Sequence, residues 1–173
     1  MKLIPCLLTL CILLDGCSQR SNTSQTPASA SPVEAKKITS TSVVHATAKP
    51  VELSPGGSGE SVVTLKIQSG YHVNANPPTF PYLKATQLDV TASDGISASS
   101  VSYPTALTKK FAFAEKPLAV YEGETEIRAT IKADATASKG EHSVAAQLRV
   151  QACDNQVCYP PGQIELRIPV TVK

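Results

Sequence analysis

Residues 143–173 read SVAAQLRVQACDNQVCYPPGQIELRIPVTVK. In the first arm Val144, Ala146, Leu148 and Val150 alternate with Gln147, Arg149 and Gln151. In the second arm Ile164, Leu166, Ile168, Val170 and Val172 alternate with Glu165, Arg167, Thr171 and Lys173. A period of two turns one face of a segment to a core and the other to water, which is the pattern of a half-buried strand. The same period recurs upstream at Val63, Leu65 and Ile67, at Leu88 and Val90, and at Ile127, Ala129, Ile131 and Ala133. Turn formers separate these runs: Pro55-Gly56-Gly57, Asn76-Pro77-Pro78, Asp94-Gly95, Lys139-Gly140 and Pro160-Pro161-Gly162. No segment sustains a helical period. The pattern predicts an all-β domain over residues 43–173, about seven antiparallel strands in an immunoglobulin-like sandwich.

Composition narrows the function. The 173 residues include 16 Lys+Arg and 14 Asp+Glu, for a net charge of +2. That balance excludes an electrostatic nucleic-acid binder, which needs a dense basic face to neutralise phosphates. Aromatics make up 5% of the chain, too few for a base-stacking platform. The single Met is Met1, which excludes a methionine-rich copper carrier. No apolar run reaches the roughly 18 residues of a membrane-spanning helix.

The N-terminus reads as an address. Lys2 precedes the short apolar run Leu3-Ile4-Pro5-Cys6-Leu7-Leu8-Thr9-Leu10-Cys11-Ile12-Leu13-Leu14, the pattern of a secretory signal over residues 1–16. Leu14-Asp15-Gly16-Cys17 resembles the bacterial lipobox, in which a small residue precedes a cysteine that is lipidated and becomes the mature N-terminus; Asp15 stands where such motifs carry a small or apolar residue. The expectation is a chain held on the periplasmic side of a bacterial membrane by lipid on Cys17, without spanning it. Residues 17–42, rich in Ser, Thr, Ala and Pro, hold little that could form a core and read as a flexible tether. Cys6 and Cys11 leave with the signal, so Cys153 and Cys158 are the thiols that remain, in an oxidising compartment.

These two cysteines frame the only chemically loaded cluster. Asp154-Asn155-Gln156 supplies turn chemistry between them, and opposed residues of a hairpin lie close enough for a disulfide. Strand parity adds a complication. Core residues are even-numbered on both arms, so facing residues should sum to an even number, and 153 and 158 do not. A bulge or skew is expected, with Pro160-Pro161-Gly162 the natural place for it because neither Pro donates to a ladder. By the same parity Cys153 shares the solvent face of Arg149 and Gln151, which makes its thiol accessible. Zinc would need two further ligands, and His45, His72 and His142 are scattered at no ligand spacing. A nucleophilic cysteine hydrolase would need a placed His and an orienting partner. Two readings remain open on spacing and exposure: a reversible redox pair, and a structural staple closing a short loop. Tyr71 and His72 read as packing or turn residues, Phe111 and Phe113 as core, and Lys109-Lys110 as a solvated loop.

Three segments carry a resemblance to a known family: Gly70-Tyr71-His72-Val73-Asn74-Ala75-Asn76-Pro77-Pro78, Lys116-Pro117-Leu118-Ala119-Val120-Tyr121-Glu122-Gly123, and above all Ala152-Cys153 with Val157-Cys158-Tyr159-Pro160-Pro161. Over residues 43–173 the chain resembles the N-terminal periplasmic domain of the thiol:disulfide interchange protein DsbD. The resemblance implies an immunoglobulin-like sandwich and a redox-active pair. That pair would take electrons from a thioredoxin-like module or a membrane carrier of DsbD type and reduce oxidised exported proteins. It implies that Cys158 attacks and Cys153 resolves, and that a cap loop with a shielding side chain lies near residues 118–123, with Val120 or Tyr121 as the shield. No cofactor, metal or nucleic acid is implied. The spacing of the two cysteines is one residue shorter than in the best-known member. With the chain ending at Lys173, separately encoded partners are expected. Asp154, and Glu122 if the cap closes nearby, would disfavour a thiolate, with Arg149 as an offset, so no strongly activated thiol is expected. The alternative is a non-enzymatic immunoglobulin-like interaction or scaffold lipoprotein whose disulfide is inert.

Overall fold

A computed structural model describes residues 37–173, so the expected signal 1–16, Cys17 and most of the tether lie outside the described residues. Twelve strands are described: β1 (Val44–Ala48), β2 (Val51–Leu53), β3 (Ser58–Ile67), β4 (His72–Asn74), β5 (Gln87–Val90), β6 (Ile96–Ser102), β7 (Leu107–Lys109), β8 (Leu118–Tyr121), β9 (Glu124–Ala133), β10 (Gly140–Val150), β11 (Ala152–Cys153) and β12 (Gly162–Val172). They form three four-stranded sheets, ordered β1-β3-β9-β6, β2-β12-β10-β5 and β11-β4-β8-β7. The pairings are antiparallel except that of β2 with β12, which is parallel.

The first two sheets make the sandwich, and their alternation places the core. Val63, Leu65, Ile127, Ala129 and Ile131 are fully buried on one side, and Val144, Leu148, Val150 and Ile168 on the other. The intervening Glu126, Arg128, Gln147 and Arg167 face outward. The immunoglobulin-like, all-β expectation therefore holds. Fewer strands were expected because the third sheet is built from segments of two to four residues, too short to display a period. β4 is buried at all three positions, so it carries no alternation at all.

Turns follow backbone chemistry. Asp94 and Gly95 both take positive φ, 54° and 72°, between Ser93 and Ile96, which exchange backbone hydrogen bonds. That is the primed two-residue turn whose twist matches its flanking strands, and Asp-Gly suits it because both central residues must be left-handed. Packing begins ahead of the boundary expected at Val43. A 3-10 turn, Ser40–Ser42, is capped by Thr39, and Ser40 is 1% exposed. Thr41 lies against Gly162, where a Cβ would come within 2.6 Å of its Cγ2, so only glycine fits there without displacement. These residues are polar, and their burial serves hydrogen bonds rather than apolar contact; a hydrophobicity pattern does not reveal them.

Leu148 sits at the centre of this core with no exposed surface. Replacing it by Ala should cost about 2–5 kcal/mol, the transfer term plus a cavity the strands cannot close. Urea unfolding followed by circular dichroism measures this. A loss under about 1 kcal/mol would show that the two sheets do not close over this position.

Candidate functional site

The site is built where the chain changes sheets. β10 ends at Val150 on the second sheet, and two residues later Ala152–Cys153 pair with β4 on the third, Ala152 with Val73 and Cys153 with His72. The residue between them, Gln151, ties the crossing together. Its side-chain oxygen accepts from Asn74 Nδ2 at 3.0 Å and from the Lys84 amide at 2.9 Å, while its Nε2 donates to the Tyr159 carbonyl at 3.3 Å. Ser40 pins the hairpin from behind: its hydroxyl accepts from the Ala152 amide at 2.9 Å and donates to the Pro160 carbonyl at 2.6 Å. The start of the domain therefore touches the chain on both sides of the cysteine pair.

Cys153 and Cys158 face each other as an isolated antiparallel bridge and are joined by a disulfide, with Cα atoms 3.9 Å apart. The Tyr159 amide donates to the Ala152 carbonyl and the Asp154 amide to the Val157 carbonyl, so the cysteines are a non-hydrogen-bonded pair, the kind that brings side chains closest. In the β10–β12 ladder Val150 faces Gly162. From there to the bridge one arm advances one residue more than the other, and the extra residue falls in Tyr159-Pro160-Pro161; the bulge expected at Pro160-Pro161-Gly162 thus includes both prolines but not Gly162, which is already paired.

Asp154 shapes the turn. Its Oδ1 accepts from the amides of Gln156 at 2.7 Å and Val157 at 2.8 Å, and its Oδ2 accepts from the Tyr159 hydroxyl at 2.7 Å. The Tyr159 bond, then the two amides, hold the carboxyl below its ordinary value. The same bond is the main reason that the Tyr159 hydroxyl is pushed up to about 12. The carboxylate thus belongs to the turn.

The two sulfurs are unequal. Cys153 has no exposed surface, whereas Cys158 is half-buried. This corrects the expected accessibility of Cys153: strand parity does not survive a change of sheet, and Ala152 and Cys153 are both interior. Cys158 lines an open pocket of about 340 Å³ with Tyr82, Leu83, Phe113, Leu118 and Val157. Tyr82 (71% exposed), Val157 (51%) and Phe113 (40%) leave an apolar rim around it.

Val120 and Tyr121, the expected shield, are interior residues of β8 rather than loop residues. Val120 has no exposed surface and packs with Leu83, Phe111 and Leu118. Tyr121 joins the main core and accepts from the Asn76 amide through its hydroxyl at 3.1 Å, with burial the main cause of its raised pKa. Besides Leu118 and the hairpin itself, the pocket is lined by Tyr82 and Leu83 from the loop before β5 and by Phe113 and Ala114 from the loop before β8. Phe111 stacks on His72 at 4.1 Å, and Phe113 stacks on Phe111 at 5.5 Å. The reading of both phenylalanines as core holds for Phe111, 6% exposed, and fails for Phe113. Lys110, in this loop, donates to the carbonyls of Ala114 and Glu115 at 2.5 and 2.7 Å.

The charges expected to act on the thiols are engaged elsewhere. Glu122 pairs with Lys109 at 2.6 Å, and Arg149 donates to Gln87 on β5. His72, read from sequence as packing, is opposite Cys153 and 1% exposed, and its Nε2 has no hydrogen-bond partner. Burial is the main cause of a pKa below the ordinary histidine value; Glu122 and Asp154 oppose it and Lys109 adds to it. Its signal in the sequence was only its place in the Gly70–Pro78 segment. Among the described residues no three His, Cys, Asp or Glu side chains converge as metal ligands would.

The sequence profile of the family described as thiol:disulfide interchange protein DsbD, N-terminal, matches residues 40–168. The chain is also similar to the N-terminal periplasmic domain of ScsB from Proteus mirabilis, at 19% identity and a TM-score of 0.49, covering 72% of this chain and 44% of that one. It thus spans less than half the length of that solved domain. A lower similarity is to the seventh ScaB type I cohesin from Pseudobacteroides cellulosolvens, at 10% identity and a TM-score of 0.41, covering 75% of this chain and 93% of that one. Direct comparison with curated protein sequences finds no match.

His72 and Asp154, the two groups with lowered pKa values, bind fewer protons folded than unfolded, so stability should rise with pH through each of these titrations. The His72 contribution is complete above the ordinary histidine value and is lost as pH falls through the lowered one. The Asp154 contribution is complete above the ordinary carboxylate value and is lost on acidification through its own lowered pKa. Urea midpoints should therefore fall in two stages on acidification, and Asp154→Asn should remove most of the lower stage. A midpoint flat between pH 7 and 3 would contradict both assignments.

Proposed function

The chain belongs to the family of N-terminal domains of the thiol:disulfide interchange protein DsbD, and from that membership we propose that it passes reducing equivalents through Cys153 and Cys158 to oxidised exported proteins. The observation that carries this reading is the asymmetry of the pair: a disulfide whose second sulfur belongs to a half-buried residue on an open apolar pocket, while the first is fully enclosed. Exchange proceeds by attack of a thiolate on a disulfide sulfur through a mixed disulfide. An incoming donor thiolate attacks Cys158 Sγ, the Cys153–Cys158 bond breaks, and Cys153 leaves with the electron pair. The donor's second thiolate then attacks the donor's own sulfur and releases Cys158 as a thiolate, leaving the donor oxidised and the pair reduced.

Toward an acceptor the sequence reverses. Cys158 attacks the acceptor disulfide, and Cys153 then attacks Cys158 Sγ and frees the reduced acceptor. The apolar rim of Tyr82, Phe113 and Val157 suits a protein partner of thioredoxin-like type, because docking there places its sulfur against Cys158 and replaces solvent with contact. Phe113, in the loop before β8 and on the rim of the Cys158 pocket, is assigned the shielding role in place of Val120 and Tyr121. The expected signal 1–16 and lipidation of Cys17 place the domain on the periplasmic side of a membrane, with the segment up to Thr39 as its tether.

Two measurements test the reading. Redox titration in glutathione buffers, with alkylation and mass spectrometry, should give a potential above the roughly −300 mV below which structural disulfides sit. In cells, Cys153→Ser should accumulate a reductant-sensitive adduct of Cys158 with a thioredoxin-like protein, and Cys158→Ser should give none. A bridge that stays closed in mild reductant, together with no adduct from either variant, would leave an inert clasp.

A further inference from the structure

Three side chains stand abreast on neighbouring strand segments: His72 on β4, Cys153 on β11, and Cys158 across the hairpin. Directly opposed residues of an antiparallel pair project on the same side, with Cβ atoms roughly 4.5–5.5 Å apart. Cys153 therefore has its disulfide partner on one flank and an imidazole on the other. That imidazole is enclosed: Phe111 stacks on it at 18° to its plane, and its Nε2 reaches no partner. A buried polar atom left unpaired in a native site calls for an explanation, and a second state of the site in which it is used is one.

Reduction of the bridge creates such a state. Cys153 then carries a thiol at a position with no exposed surface, where burial disfavours the thiolate and solvent cannot take the proton directly. Yet Cys153 must lose that proton to resolve a mixed disulfide. Resting on the exchange reading above, we infer that His72 is the base that takes the Cys153 proton when the mixed disulfide on Cys158 is resolved. In the resolving direction the Cys153 S–H bond breaks and its proton passes to His72 Nε2. The sulfur electron pair forms the bond to Cys158 Sγ. The bond between Cys158 and the partner breaks, and its electron pair leaves on the partner sulfur as a thiolate. The imidazolium then gives up its proton to solvent in the cleft that His72 lines with Lys109 and Glu122.

The surroundings suit a ring that is neutral at rest and charged in passing. Burial keeps it neutral, so a lone pair is free at neutral pH. The charged groups acting on it come from three elements: Lys109 at the end of β7, Glu122 after β8, and Asp154 after β11. The two carboxylates favour the imidazolium and Lys109 opposes it, with Lys109 itself paired to Glu122. A thiolate forming at Cys153 adds a further negative charge on the facing strand.

The test follows one turnover of the reduced chain with glutathione disulfide, quenched at intervals and read by mass spectrometry from pH 5.5 to 8.5. Formation of the Cys158–glutathione adduct should be similar in wild type and His72→Gln. Its decay by Cys153 should slow in the variant, toward the ~10²–10⁴-fold that a positioned base contributes, with the gap closing as pH rises into the thiol range. Equal decay rates with the same pH profile would reduce His72 to a packing residue and overturn the inference, while leaving exchange intact. Failure of both proteins to form any adduct would instead sink the exchange reading and this inference with it. Should His72→Gln not fold, ¹⁵N spectra of the wild-type ring decide. The neutral ring should carry its proton on Nδ1, and its titration should shift between oxidised and reduced protein. A neutral ring protonated on Nε2, or one titrating identically in both states, would overturn the assignment.

Discussion

The site depends on a mismatch of one residue between the two arms of a hairpin. Val150 faces Gly162 in the long ladder, and Cys153 faces Cys158 at its tip, so the second arm carries a residue that the first does not match. Tyr159-Pro160-Pro161 absorbs the difference because proline leaves no amide to pair. Over the same span the first arm leaves one sheet and joins another. Without that transfer Cys153 would continue the outward face of Arg149 and Gln151. With it, Cys153 is enclosed beside His72, and Cys158 is the cysteine that borders the pocket.

The transfer needs polar anchors, since a crossing strand abandons one set of ladder bonds before it gains the next. Ser40 and Gln151 supply them. The Ser40 hydroxyl bridges the Ala152 amide and the Pro160 carbonyl. The Gln151 amide bridges β4, the Lys84 amide and the Tyr159 carbonyl. Thr86 and Asn76 continue the pattern one layer on, with Thr86 donating to the Asn74 carbonyl at 2.7 Å and Asn76 to the Thr86 carbonyl at 3.0 Å. These groups are buried or half-buried and largely paired, which is how an irregular crossing is held in one arrangement. Breaking one of them strands its partner, so the hairpin and the turn at the start of the domain are coupled.

Around the pair, aromatic packing runs outward from the interior. His72, Phe111 and Phe113 are stacked in sequence, from the enclosed face of Cys153 to the rim of the pocket. Phe111 is anchored among Leu83, Leu118 and Val120, whereas Phe113 is partly in solvent. A docking protein that displaced Phe113 would act through Phe111 on the ring beside the buried sulfur. On the proposed exchange, the same loop both borders the pocket at Cys158 and touches the residue that takes the Cys153 proton.

The sandwich was legible from residues alone because period two survives wherever a long strand has one wet face, as in 124–133, 140–150 and 162–172. The hairpin, its turn and the break at the prolines were legible for the same reason: spacing, turn formers and missing amides are local properties. The short third sheet was not. His72, Val73 and Asn74 are buried on both sides and show no alternation, and β11 has two residues. The family resemblance implied a cap at Val120 and Tyr121, but β8 runs through the interior. The burial of Cys153, the pairing of His72 with it and the grip of Ser40 on the hairpin join residues far apart in the chain. Only the packing of one sheet against another decides such neighbours, because no local pattern records which distant strand will lie alongside.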